Sequence, residues 1–163
     1  IHRPGRVAAA IVPTPFHITQ TRDFVMTMHE RISWRLISLA RTTHLPDATR
    51  LWMGDSLGHW DGDMLVVETT NLNGRTWGNE VGDVFSHAEH VVERFKPTDA
   101  DTIQYEATIT DPIVYTRPFT IAMPLKRLKG ELMEAACHEE EHDLPVLKRI
   151  RDMERARQAN APR

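Results

Sequence analysis

Two carboxylates and a histidine flank the Asp61-Gly62 pair, and they could move protons if they face one another. Asp55 and His59 precede the pair and Glu68 follows it. An Asp-Gly pair tolerates the positive φ angles of a type I′ turn, so the segment predicts a tight β-hairpin. If that pair forms the two-residue turn, Asp55 lies opposite Glu68 and shares a face with His59. Inside a barrel, the pKa values of two such carboxyls would separate and supply an acid and a base, whereas on an outer face the pair would be solvated and inert.

Histidine is abundant, with nine residues among 163. His90 and His138 each lie in an alternating segment typical of a strand, where an inward imidazole could exchange a proton near neutral pH. Glu68, His90 and His138 are therefore our predicted catalytic residues. We predict no metal and no cofactor, because spacing such as His87-x-x-His90 points the two side chains to opposite faces of a strand. A metal-dependent enzyme is an alternative that requires three of these side chains or their acidic neighbours to converge: His59, His87, His90, His138 and His142.

Ser56 lies in a Gly-x-Ser-x-Gly sequence that matches the nucleophile elbow of serine hydrolases, and the four residues from Gly54 spell the GDSL motif of another esterase class. Both classes need alternating strands and helices around the serine. Here a hairpin turn follows Ser56 within a few residues, and helical periodicity is scarce. We interpret the motif as a strand whose small residues permit close packing.

Aromatic residues supply the predicted ligand contacts. Trp60, Tyr105 and Tyr115 are candidates to line an apolar pocket, whereas filling an ordinary core is the simpler alternative for any single ring. Arg117 lies close to Tyr115 in sequence, and it could clamp a carboxylate or pair with Asp111. Trp60, Tyr105, Tyr115 and Arg117 are therefore the predicted ligand-binding residues.

Alternation of apolar and polar residues dominates from residue 16 to about residue 138 and predicts about nine strands, including Phe16–Gln20, Phe24–His29 and Thr102–Thr110. Asp143 as an N-cap and Pro145 in the first turn predict a C-terminal helix. Closure of a sheet removes exposed edges, so we predict an all-β fold, an antiparallel β-barrel that is lipocalin-like or a similar meander. A sandwich is the alternative. The barrel domain spans residues 1–143, and an amphipathic helix and frayed tail over residues 144–163 pack on it.

Composition limits the partners. Residues 144–163 carry six Lys or Arg against two Asp or Glu, whereas residues 1–143 carry fourteen against twenty-one. The basic tail lacks interleaved aromatics, which indicates a solvated helix face and no nucleic-acid binding. No apolar run approaches the 18 residues of a membrane-spanning helix, so we predict no membrane span. The single cysteine, Cys137, excludes an internal disulfide and argues for a reducing compartment or a partner outside these residues.

A sequence pattern covering nearly the whole chain resembles a large, uncharacterised family of mostly exported bacterial proteins frequent in soil phyla. The pattern is W-x-G-x-S-x-G-x-W-x-G-D-x-L-V-V-E-T from Trp52 to Thr69, followed by Glu93-Arg94-Phe95, Asp111-Pro112, Tyr115-Thr116-Arg117-Pro118 and Cys137-His138-Glu139. The resemblance implies a periplasmic or secreted location, and it implies that the usual partner of Cys137 is a cysteine shortly before the segment matching residues 1–5. The family tends to continue after Cys-His-Glu with Gly-Asn-Tyr, where this chain has Glu140-Glu141-His142. The resemblance implies no particular activity.

These observations predict a β-barrel that binds a small apolar or aromatic molecule. The barrel could perform cofactor-independent acid/base chemistry, such as isomerisation or elimination, through Glu68, His90 and His138. The alternative is a non-catalytic protein. It would be either a ligand carrier or an ancillary subunit of a larger exported assembly, docked through the helix over residues 144–157.

Overall fold

The structure of the protein is a computed structural model that describes residues 15–30, 33–75, 84–132, 148, 149, 151 and 152. Eight strands form one sheet that curls into a half-barrel. The sheet lies within the first of two compact units, Ile1–Met133. The strands are β1 (Phe16–Gln20), β2 (Phe24–His29), β3 (Ser33–Ser38), β4 (Asp55–Asp61), β5 (Met64–Thr70), β6 (His90–Asp99), β7 (Thr102–Thr110) and β8 (Phe119–Lys126).

The strands pair in chain order, and every pair is antiparallel except β3 with β4, which is parallel. The prediction of a wholly antiparallel sheet is therefore wrong at this pair. Parallel neighbours require a long crossover, and residues 39–54 provide it by returning the chain to the end of the sheet at which β3 began. Within the described residues β1 does not pair with β8, so this part of the sheet is a half-barrel. The predicted strand ending at His138 and the predicted C-terminal helix lie almost wholly outside the described residues.

The hairpin between β4 and β5 has a different register from the predicted one. Its two-residue turn is Gly62-Asp63, and Glu68 lies opposite Leu57 instead of Asp55. Gly62 has a φ of 63° and Asp63 has no positive φ, which is the pattern of a type II′ turn. The turn moves by one residue because glycine takes the first central position. Asp55 and Glu68 still share a face of the sheet, since the register shifts by two residues.

One face of the sheet, the core face, carries the buried side chains. Val67, Glu93, Ala107 and Ile121 lie side by side across four strands, and the neighbouring row contains Tyr105. Val67, Glu93, Ala107 and Tyr105 are all 0% exposed. The opposite face, which we call the second face, carries side chains that are half-buried or exposed, apart from the buried Asp55 at the start of β4.

A polar network crosses this apolar core. Arg35 on β3 donates from Nε to the Ser56 hydroxyl at 2.9 Å and from Nη2 to Thr69 Oγ1 at 2.7 Å. The same Nη2 lies 2.5 Å from Oε2 of Glu93, and the Tyr105 hydroxyl donates to Glu93 Oε1 at 2.8 Å. All five residues are buried, so the network links strands β3 to β7 from within.

The burial of Arg35 explains why its neighbours are exposed. Trp34 and Leu36 lie on the second face and are 64% and 47% exposed. Trp52 and Trp60 are also exposed, so Trp60 does not fill the core, which was the alternative to a role in a pocket. Successive strand residues point to opposite faces, and placing Arg35 inside therefore turns both of its apolar neighbours outward.

Gly58 on β4 permits the close packing that the sequence predicts for this strand. A Cβ at this position would lie 2.8 Å from Cγ2 of Ile37 and 3.0 Å from Cδ2 of Leu39. We expect Gly58→Ala to lower the free energy of unfolding by about 1–3 kcal/mol, because the core must shift to admit the methyl group. Chemical denaturation measures the loss. Gly62→Ala is the comparison, because a Cβ there meets nothing within 4 Å and only the positive φ opposes it. Equal stability of Gly58→Ala and the natural protein would contradict the packing argument.

Candidate functional site

The site is built around Glu68 on the second face of the sheet. Oε1 of Glu68 lies 2.7 Å from Nε2 of His90 on β6. The β5–β6 pairing sets Glu68 opposite Val92, so His90 is its diagonal neighbour on the same face. An ionised carboxylate only accepts hydrogen bonds, and Nε2 of His90 must therefore donate. Both side chains reach solvent, with 52% of Glu68 and 36% of His90 exposed.

A second histidine approaches Glu68 from the other side. His44, in the loop between β3 and β4, places Nε2 3.9 Å from Oε2 of Glu68. Its Nδ1 lies 3.1 Å from Oδ2 of Asp55, the first residue of β4. Nε2 of His44 is buried and makes no hydrogen bond to any residue that the structure describes. The cluster is therefore a chain of side chains that runs from Asp55 through His44 and Glu68 to His90.

The loop that carries His44 is held against the sheet by two buried side chains. Asp55 accepts a hydrogen bond from the backbone N–H of Leu45 at 3.1 Å, in addition to its contact with His44. The side-chain amide of Asn71 faces the backbone carbonyls of Leu45, Pro46 and Thr49 at 3.0–3.3 Å. These bonds fix an irregular segment, so the position of His44 is determined by its surroundings.

Arg41 completes the surroundings of Asp55. Its guanidinium contacts both carboxylate oxygens, at 2.5 Å and 3.2 Å. Burial alone would raise the pKa of Asp55, but hydrogen bonds from Arg41, Leu45 and His44, together with the charge of Arg41, lower it below its ordinary value. The hydrogen bond to Asp55 is also the main reason that the pKa of Arg41 is raised. Asp55 is therefore ionised at neutral pH.

Apolar side chains border Glu68 on both sides. Leu57 on β4 and Val92 on β6 are its directly opposite neighbours, and both are half-buried. A carboxylate that lies beside an imidazole and between two half-buried apolar side chains has the groups that a proton transfer needs.

The other predicted site residues lie elsewhere. Tyr105 is buried in the core, and the Tyr115 ring packs between Phe85 and Phe119, with centroid distances of 5.8 and 5.1 Å. Trp60 is exposed near the end of the hairpin, and Arg117 is exposed. The structure therefore brings Glu68 and His90 together, but it does not bring these four residues to that pair. The third predicted catalytic residue, His138, lies outside the described residues.

Ser56 of the Gly-x-Ser-x-Gly motif lies inside β4 on the core face. Its hydroxyl is shared between Arg35 and Thr69, and it is buried. His59 and His87 are exposed, His87 in the turn before β6. No group of three or more His, Cys, Asp or Glu side chains among the residues the structure describes is arranged to hold a metal ion. In the same part of the chain, no helix is long and apolar enough to cross a membrane.

His44 is the site residue that the sequence did not reveal. It follows Thr42-Thr43 in a segment without strand or helix periodicity, so no pattern placed it near Glu68. The available signal was indirect, since a buried Asp55 requires nearby donors. A histidine within reach of that carboxylate was therefore a reasonable candidate.

Comparison with models of protein families, with curated proteins and with solved structures finds no match to this chain.

Proposed function

We propose that the protein binds a small apolar or aromatic molecule on the second face of the sheet and catalyses proton transfer on it without a cofactor. The hydrogen bond between Glu68 and His90 is the observation that supports this proposal most. Glu68 Oε2 is the base, because Oε1 is occupied by His90 and Oε2 makes no hydrogen bond within the described residues. Isomerisation and elimination are the reaction classes that need no more than such a base and a donor.

A carbon acid with an apolar ring tests the proposal directly, and 5-nitrobenzisoxazole is a suitable probe. A base removes the proton from the carbon that is bonded to the ring nitrogen, the C–H electrons form a nitrile, the ring N–O bond breaks, and a coloured nitrophenolate leaves. We expect the protein to accelerate this reaction above acetate and imidazole at matched concentrations. Glu68→Gln should lower the rate about 10²–10⁴-fold, because it removes the base. His90→Gln should lower it about tenfold, because it removes one charge-assisted hydrogen bond.

His59→Gln is the matched control for both variants. His59 lies on the same face, opposite Val66, and it is exposed. Its loss should leave the rate unchanged. A natural protein no faster than the free buffers, or a Glu68→Gln variant as fast as His59→Gln, would contradict the proposal.

Native mass spectrometry of protein purified from its own host separates the catalyst from a ligand carrier. A retained organic molecule with no proton-transfer activity would favour the carrier. The closed barrel, the C-terminal helix and the roles of His138, Trp60, Tyr105, Tyr115 and Arg117 also remain proposals. So does the periplasmic or secreted location, which rests on the family resemblance.

A further inference from the structure

The imidazole of His44 is held in one orientation and has an unused nitrogen. Asp55 is ionised and accepts at Oδ2, so the proton of a neutral His44 lies on Nδ1, 3.1 Å away. Nε2 then carries a lone pair. It is buried and makes no hydrogen bond to the residues that the structure describes. A buried polar atom without a hydrogen bond costs free energy, and that cost is removed when a donor binds to it.

The distance from His44 to Glu68 has a simple explanation. Nε2 of His44 and Oε2 of Glu68 lie 3.9 Å apart, which is beyond hydrogen-bonding range. Both atoms are acceptors when the imidazole is neutral and the carboxylate is ionised, so no proton lies between them. A permanently charged His44 would instead donate from Nε2 and draw Oε2 to about 2.8 Å.

Protonation of Glu68 changes this relationship. When Oε2 takes a proton from a substrate, it becomes a donor that faces the lone pair of His44. A small movement of the exposed Glu68 side chain brings the two atoms into hydrogen-bonding range. The proton can then pass to Nε2, and the resulting imidazolium lies between two carboxylates, with Asp55 stabilising it as the aspartate does in the Ser-His-Asp arrangement.

We infer that His44, positioned by Asp55, receives the proton that Glu68 removes from the substrate. This inference rests on the proposed function. The substrate C–H bond breaks, its electrons remain with the substrate, and the proton moves first to Oε2 and then to Nε2. Glu68 is thereby restored as a carboxylate while the product leaves. The proton later returns from Nε2 to Oε2 of the exposed Glu68 and passes from there to water, so no other reactant is needed. Because Nε2 of His44 is buried, His44 acts through Glu68 and is a positioning residue.

Long-range ¹H–¹⁵N correlation spectra of the labelled protein show which ring nitrogen of each histidine carries a proton. The His44 signals are assigned by their loss in His44→Gln. We expect neutral His44 to have its proton on Nδ1 and its lone pair on Nε2. A proton on Nε2 of neutral His44, or a His44 that stays doubly protonated from pH 6 to pH 9, would overturn the inference whether or not the protein is active.

Kinetics with 5-nitrobenzisoxazole provide the second measurement. His44→Gln should lower kcat about a hundredfold with KM unchanged, because the substrate does not touch His44. A His44→Gln variant that keeps the natural kcat would overturn the inference and leave the proposed function standing, provided that Glu68→Gln is inactive. A natural protein without activity would overturn both. If His44→Gln does not fold, the His44 ring signals are assigned through bonds from the backbone resonances of the natural protein, and its spectra alone decide the matter.

Discussion

Replacing Arg35 with methionine is expected to lower the free energy of unfolding by about 3–5 kcal/mol, the largest loss that we expect from a single substitution in the sheet. The reason is the carboxylate that is left behind. Glu93 is 0% exposed, and Nη2 of Arg35 is the cation 2.5 Å from its Oε2. Methionine fills much of the arginine volume but cannot balance that charge. Urea denaturation at neutral pH measures the loss.

The surrounding bonds add to this effect. Arg35 also donates to Ser56 and Thr69, which bond to each other at 2.9 Å. Without the guanidinium, both hydroxyls lose a charged donor, while the Tyr105 hydroxyl still donates to Glu93. The network contributes to the alignment of β3 with the strands beyond β4, since β3 and β4 share only a short parallel pairing.

A surface ion pair provides the matched control. Arg94 and Glu106 lie 3.3 Å apart on the second face, with about two-fifths of each side chain exposed. Arg94→Met should change stability by no more than about 1 kcal/mol, because solvent already screens this pair. The double variant Arg35→Met/Glu93→Leu should recover most of the loss, since it removes both members of the buried ion pair. A single Arg35→Met variant as stable as Arg94→Met would contradict the expected result.

Local patterns in the sequence were sufficient to predict three of the strands at both ends. The alternating segments Phe16–Gln20, Phe24–His29 and Thr102–Thr110 match strands β1, β2 and β7 at both ends. They match because strand periodicity and the turn residues between strands are local properties. The parallel pairing of β3 with β4 is not local. It depends on the path of residues 39–54, which is fixed by side-chain contacts of Asp55 and Asn71.

The sequence also could not predict which side chains of β3 lie on the core face. Trp34 and Leu36 are the apolar members of their alternation, and burial of apolar surface alone would turn them inward. Arg35 is inside because Glu93 lies opposite it across the core, and a pair so distant in sequence leaves no local pattern. The site residues also divide into those that a local pattern identifies and those that depend on contacts distant in sequence. The sequence identified Glu68 and His90 as individual candidates, while His44 required knowledge of the loop that Asp55 holds.

Two buried acids lie next to strand ends: Glu89 comes directly before β6, and Asp111 comes directly after β7. Glu89 and Asp111 are 4% and 1% exposed. Asp111 accepts from the backbone N–H and the hydroxyl of Ser86, at 2.6 and 2.7 Å. Burial alone would raise the pKa of Asp111, but these bonds and those from Ile113 and Val114 lower it below its ordinary value. For Glu89, burial, and then the charge of Asp111, raise the pKa from 4.5 to about 8. Glu89 is therefore neutral in the folded protein at pH 7.

The raised pKa of Glu89 predicts that the folded state loses stability as the pH rises. Below about pH 4.5, Glu89 is protonated in both the folded and the unfolded chain. Between about pH 4.5 and pH 8 the unfolded chain releases the proton while the folded protein keeps it, so unfolding becomes more favourable. Above about pH 8 both states are ionised, and the loss is complete. Its size is about 5 kcal/mol, since each unit of pKa shift corresponds to about 1.4 kcal/mol.

Glu89→Gln removes this dependence, because glutamine has no proton to release. The free energy of unfolding of the variant minus that of the natural protein should rise steadily between pH 5 and pH 8. Any cost of burying the amide only offsets the curve, since that cost does not vary with pH. Glu106→Gln is the control, because it makes the same substitution at an exposed glutamate. Urea denaturation at half-unit pH steps measures both curves.

A flat curve for Glu89→Gln would show that the Glu89 carboxyl is already ionised in the folded protein, and a falling curve would show that its pKa is lowered instead of raised. A rise confined to this interval would identify Glu89 as the group that makes the folded state less stable in alkaline solution.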